Sequence, residues 1–100
     1  MTMPRDRLIQ HLSGLERQLR AGGVTHLALC GSRARADDHP QSDVDVVIDV
    51  RADVRFSLLD LVGVAQEIED EVDLSANVFM RRSLDPTFLA AVEREAIAIF

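Results

Sequence analysis

Leu8, Leu12, Leu15 and Leu19 recur at steps of four, three and four between Arg5 and Leu19, the single apolar stripe of an amphipathic helix. Gly22-Gly23 ends it and frees the chain to turn into a strand over 24–30, Val-Thr-His-Leu-Ala-Leu-Cys. Residues 31–42 are polar and contain Pro40, so they predict a turn, with a helical turn over 32–36, followed by a loop. The pattern then changes to period two: over 43–50, Val44, Val46, Ile48 and Val50 share one face while Asp43 and Asp45 share the other.

Ser57 and Asp60 form a capping-box pattern, and Leu58, Leu61, Val62, Ala65 and Ile68 supply the stripe of a second helix ending near Glu69. A third strand over 72–78 has Val72, Leu74, Ala76 and Val78 on one face, which places Asp73 on the other. Asp85-Pro86 supplies the N-cap and first position of a last helix, with Phe88, Leu89, Val92 and Ala96 inward. The ending Ile97-Ala98-Ile99-Phe100 fits either a last helical turn or an edge strand. The order α-β-β-α-β-α predicts an α/β fold, a small mixed β-sheet with helices packed on one face and the other face free to carry a site.

One hundred residues make a single domain, 1–100, with no room for a separate substrate domain. A hydrophobic fraction of 47% and a charged fraction of 28% fit a folded globule. The net charge of −6 disfavours direct binding to nucleic acid or an anionic membrane. All eleven basic residues are Arg, which carries little functional weight. One cysteine, Cys30, allows no intrachain disulfide, and with no signal-like or membrane-spanning stretch the expected location is cytoplasmic.

The chemistry concentrates where two strand ends meet. Gly31 lets backbone approach a phosphate, and Ser32 adds a hydroxyl and an N–H where a helical turn begins. Arg33, ahead of Arg35, is the candidate for further positive charge at a triphosphate. After ten intervening residues from Ser32, Asp43 and Asp45 project together from one strand face, a donor set suited to magnesium, which prefers oxygen ligands and is held by one or two carboxylates plus substrate phosphates. Asp73 is the natural third carboxylate, as ligand, as general base, or as both. Cys30 reads as a core residue, and His11, His26 and His39 are too scattered for a metal cluster.

The stretch from Gly31 to Ala36, with Ser42-Asp43-Val44-Asp45-Val46-Val47-Ile48, resembles the signature of the DNA polymerase beta-like nucleotidyltransferase superfamily, and in particular its minimal nucleotidyltransferase branch. Val72-Asp73-Leu74, Leu84-Asp85-Pro86 and Glu93-Arg94-Glu95-Ala96-Ile97 extend the likeness over nearly the whole chain. The resemblance implies that fold and a magnesium-dependent enzyme, with two ions held by Asp43, Asp45 and Asp73, and with ATP or another NTP held by Gly31 and Ser32. It also implies an antitoxin that adds AMP to a tyrosine of a HEPN-domain RNase toxin, in complex with that toxin. Two alternatives stay open: an adenylyltransferase for a small molecule such as an antibiotic, and a binding antitoxin whose catalytic site has decayed. The chain departs from the family at Ala36, where Gly is common, and by the loop acids Asp37-Asp38.

Overall fold

In the computed structural model, which describes residues 3–100, four strands form one mixed sheet. The chain runs α1 (Arg5–Ser13), α2 (Glu16–Ala21), β1 (Val24–Cys30), α3 (Gly31–Arg35), β2 (Val44–Val50), α4 (Leu58–Val72), β3 (Ala76–Met80), a 3-10 turn (Arg81–Ser83), α5 (Pro86–Glu95) and β4 (Ile97–Ala98). The sheet order is β3-β2-β1-β4. β1 is antiparallel to both β2 and β4, and β2 is parallel to β3, with α4 as the crossover.

The predicted first helix is two helices broken at Gly14-Leu15, yet all four leucines of its stripe are buried. They pack with Leu27 and Leu29 of β1, Val44, Val46 and Ile48 of β2, and Val64, Ile68 and Val72 of α4 in one continuous core. The capping box forms: Ser57 Oγ accepts from the Asp60 N–H while Asp60 accepts from the Ser57 N–H. The inward stripe of α4 is nevertheless 64-68-72 rather than one running from Leu58. Leu58 and Val62 face solvent, because the helix continues a turn past Glu69 and buries Ile68 and Val72 at a four-residue step.

Asp85 caps α5, its side chain accepting from the Phe88 N–H, with Pro86 in the first turn. This helix lies against the opposite face of the sheet, where Val92 packs with Cys30 and Val47 and is flanked by Phe79, Leu84 and Ala96. The helices α1, α2 and α4 therefore serve the main core, while α5 walls the half of the other face next to the β1–α3 turn. The tail resolves as an edge strand, held to β1 by the Ile99 N–H on the Leu27 carbonyl (2.8 Å) and the Leu27 N–H on the Phe100 carbonyl (3.1 Å).

Candidate nucleotidyl-transfer site

β1 delivers its C-terminal Cys30 opposite Asp45 of β2, so the first residues of α3 meet the Asp45 side chain. Gly31 sits at φ 74°, in the left-handed region, and a Cβ there would collide with Asp45 Oδ2 and lie 3.2 Å from Asp45 Cβ. Glycine is thus required twice at this position, by backbone conformation and by the close approach of Asp45. Gly31, Ser32, Arg35, Asp45 and Glu95 surround a cleft of about 330 Å³, and Phe79 and Phe88, stacked edge to face at 5.8 Å, add to its wall.

Asp43 is exposed and Asp45 half-buried on the same side of β2. Their carboxylates converge: Asn77 Nδ2 donates to Asp43 Oδ2 at 3.1 Å and to Asp45 Oδ1 at 2.8 Å. The shared Asn77 donor brings one oxygen of each carboxylate to the same side of β2, close enough to engage a single partner. The structure therefore unites Gly31, Ser32, Asp43 and Asp45.

Asp73 does not join them. It is the C-cap of α4, at φ 56° in the left-handed conformation, and it lines a separate cleft with Glu69, Asp70, Leu74 and Ser75. The third strand starts at Ala76, so Asp73 precedes it rather than alternating within it. Asn77, in register with Asp45, occupies the corner assigned to that carboxylate. Among the described residues no group of three Asp, Glu, His or Cys side chains could hold a metal ion, so the expected three-carboxylate set for two ions is not assembled.

Arg33 is also displaced from the expected role. It is 1% exposed, and its Nε donates to the Ser42 carbonyl at 2.9 Å while Nη1 pairs with Asp38 at 3.3 Å. It braces the 36–43 loop from within and does not face the cleft. Arg35 does: its Nη1 donates to Glu95 Oε2 at 2.7 Å and its Nε to Asp37 Oδ2 at 3.0 Å. These hydrogen bonds, first to Glu95 and then to Asp37, raise the guanidinium pKa further.

Glu95 is the residue the sequence reading left without a role, although it lies in the tail segment that carries the family likeness. Its Oε1 accepts from the Gly31 N–H at 3.0 Å. The Arg35 hydrogen bond, outweighing partial desolvation and aided by the Gly31 N–H, holds its carboxyl below the ordinary value. Glu95 thus ties α5 to the β1–α3 turn. Cys30 beside it is buried: burial first, then the Asp45 and Glu95 charges, push its thiol up to about 12.

Residues 8–99 match the family described as nucleotidyltransferase domain. No curated protein matches the sequence. Among solved structures, one assigned as a minimal nucleotidyltransferase superposes with TM-score 0.81 at 23% identity, over 95% of both chains. A toxin–antitoxin structure with AMP-PNP gives TM-score 0.74 at 18% identity, over 90% of this chain and 72% of that one. A tri-AMPylated HEPN toxin in complex with MNT antitoxin, from Shewanella oneidensis, gives 0.69 at 16% identity, over 93% and 71%.

Proposed function

The chain belongs to the nucleotidyltransferase domain family, and from that premise we propose that it transfers a nucleotidyl group, AMP foremost, from an NTP to a hydroxyl of a partner protein. The observation that carries this reading is the convergence of Asp43 and Asp45 on one point beside the Gly31-Ser32 turn. Magnesium bound there would neutralise phosphate charge and align the reacting oxygens. Asp43 and Asp45 would hold it, while Gly31 and Ser32 would border the triphosphate and Arg35 would balance charge at the cleft wall. In the transfer, an acceptor oxygen forms a bond to the α-phosphorus, the bond from that phosphorus to the bridging oxygen breaks, and pyrophosphate leaves.

A triphosphate would take up much of the cleft of about 330 Å³, which favours an acceptor presented by another molecule. Likeness in fold to toxin–antitoxin structures supports a HEPN-domain toxin as that acceptor, with this chain as its antitoxin. Among the described residues no helix is long and apolar enough to cross a membrane.

The test is to incubate the chain with the product of its adjacent gene, magnesium and each NTP, and to weigh the partner intact. Whole nucleotidyl increments that depend on ATP and vanish in Asp43→Asn support the reading. Increments on an added small hydroxyl compound, with none on the partner, would replace it with a small-molecule transferase. A toxin still fully silenced by Asp43→Ala/Asp45→Ala, with no increments from wild type, would replace it with a binding antitoxin.

A further inference from the structure

The side chain that faces Asp43 and Asp45 from the neighbouring strand is an amide. β3 runs parallel to β2 with Asn77 opposite Asp45, and one Asn77 nitrogen donates to both carboxylates, at 3.1 Å and 2.8 Å. An Asn side chain offers two N–H donors and one neutral carbonyl acceptor, and it does not take up a proton at neutral pH. It can satisfy two carboxylates when no cation is present. It cannot contribute the negative charge that a second divalent ion would need, nor accept the proton of an incoming hydroxyl.

Among the described residues nothing nearby substitutes for it. Asp73 stands at the C-cap of α4, where its backbone N–H donates to the Glu69 carbonyl, and its carboxylate lines a separate cleft. Glu95 is occupied by Arg35 and the Gly31 N–H. The charge of two carboxylates, Asp43 and Asp45, matches one divalent cation.

We infer that Asn77 restricts this site to a single carboxylate-held divalent cation and removes the general base from the acceptor corner. The inference rests on the nucleotidyl-transfer reading of Asp43 and Asp45. The bonds made and broken in transfer are unchanged, and the acceptor proton passes to solvent water rather than to a side chain of β3. A carboxylate placed at this position would complete a second ion site, because its oxygens would stand in register with Asp45.

Manganese bound to the full chain is counted by electron paramagnetic resonance with a non-hydrolysable ATP analogue present, against a nucleotide-only blank. Wild type and Asn77→Ala should hold about one ion per chain and Asn77→Asp about two, as a paired-metal site requires. The melting temperature of Asn77→Asp should also rise more with manganese than that of wild type, since its third carboxylate is repelled by the other two until a cation is bound. Two ions on wild type, both lost in Asp43→Asn, would overturn the inference and leave the nucleotidyl reading standing. One ion on Asn77→Asp with no greater thermal response would overturn it too. A wild-type chain that holds no ion, or one indifferent to Asp43→Asn, would overturn the nucleotidyl reading and the inference with it.

Discussion

Replacing Gly31 by Ala probes the contact on which the site geometry depends. At φ 74° an L-residue other than glycine loses about 1–2 kcal/mol. The added methyl must also displace Asp45, whose Oδ2 it would strike and whose Cβ and Cγ stand at 3.2 Å, and overpacking of this kind costs about 1–3 kcal/mol. The stiffer unfolded chain of the alanine variant returns about 0.4–1 kcal/mol. A net loss of about 2–4 kcal/mol is expected, a large part of the roughly 5–15 kcal/mol that stabilises a domain of this size. With a urea slope of about 1–3 kcal/mol per molar, the unfolding midpoint should fall by about 2 M.

The same measurement in an Asp45→Ala background separates the two causes. That change removes Oδ2 and Cγ but leaves Cβ, so part of the clash disappears while the backbone strain stays. Gly31→Ala should then be milder by about 1 kcal/mol, within the range of coupling between residues in contact. A midpoint shift below about 0.5 M, or an equal loss in both backgrounds, would refute the close-approach argument.

Three further outcomes follow from the geometry. Ala36 closes α3 at φ 61°, so Ala36→Gly should raise stability by about 1 kcal/mol in urea unfolding, and no gain would contradict the assigned backbone conformation. Glu95 has a folded pKa below its unfolded one, so its contribution is complete above about pH 4.3 and is lost as pH falls through the lower folded value. Glu95→Gln should flatten the stability–pH curve in that acidic window, and an unchanged slope there would remove the Arg35–Glu95–Gly31 link from the account. Cys30, with its thiol raised to about 12 by burial and then by Asp45 and Glu95, should resist iodoacetamide at neutral pH until urea unfolds the chain; rapid native labelling would count against its burial.

Much of the fold was legible because its signals are local. The Ser57 capping box, the Asp85-Pro86 start and the alternation over 44–50 fall on the elements they predict, and the leucine stripe is buried as expected although its one helix is split in two at Gly14-Leu15. Asp43 and Asp45 were legible for the same reason, since period two fixes their common face. The third corner was not. Val72 belongs to two patterns at once, the four-residue step from Ile68 and the two-residue step to Leu74, and the helix takes it, leaving Asp73 as a cap and starting the strand at Ala76. The face assigned to the odd-numbered residues held, but the residue of that face beside Asp45 is Asn77.

Arg33 and Arg35 show a different limit. Both follow the same glycine-serine turn, and which of them points into the cleft depends on residues distant in sequence. Ser42 and Asp38 draw Arg33 inside, while Glu95, sixty residues on, draws Arg35 across the cleft wall. No local periodicity encodes that choice. The split of the helices between the two sheet faces is likewise tertiary: α5 goes to the far face because Val92 meets Cys30 and Val47 there.

In the proposed function, Asp43 and Asp45 hold a divalent cation that brings a nucleoside triphosphate to the Gly31-Ser32 turn. The direct test is calorimetric titration of a non-hydrolysable ATP analogue, with and without magnesium, into wild type and Asp45→Asn. Binding to wild type should require magnesium and be lost in Asp45→Asn. Binding of equal strength without the cation, or retained in Asp45→Asn, would contradict it.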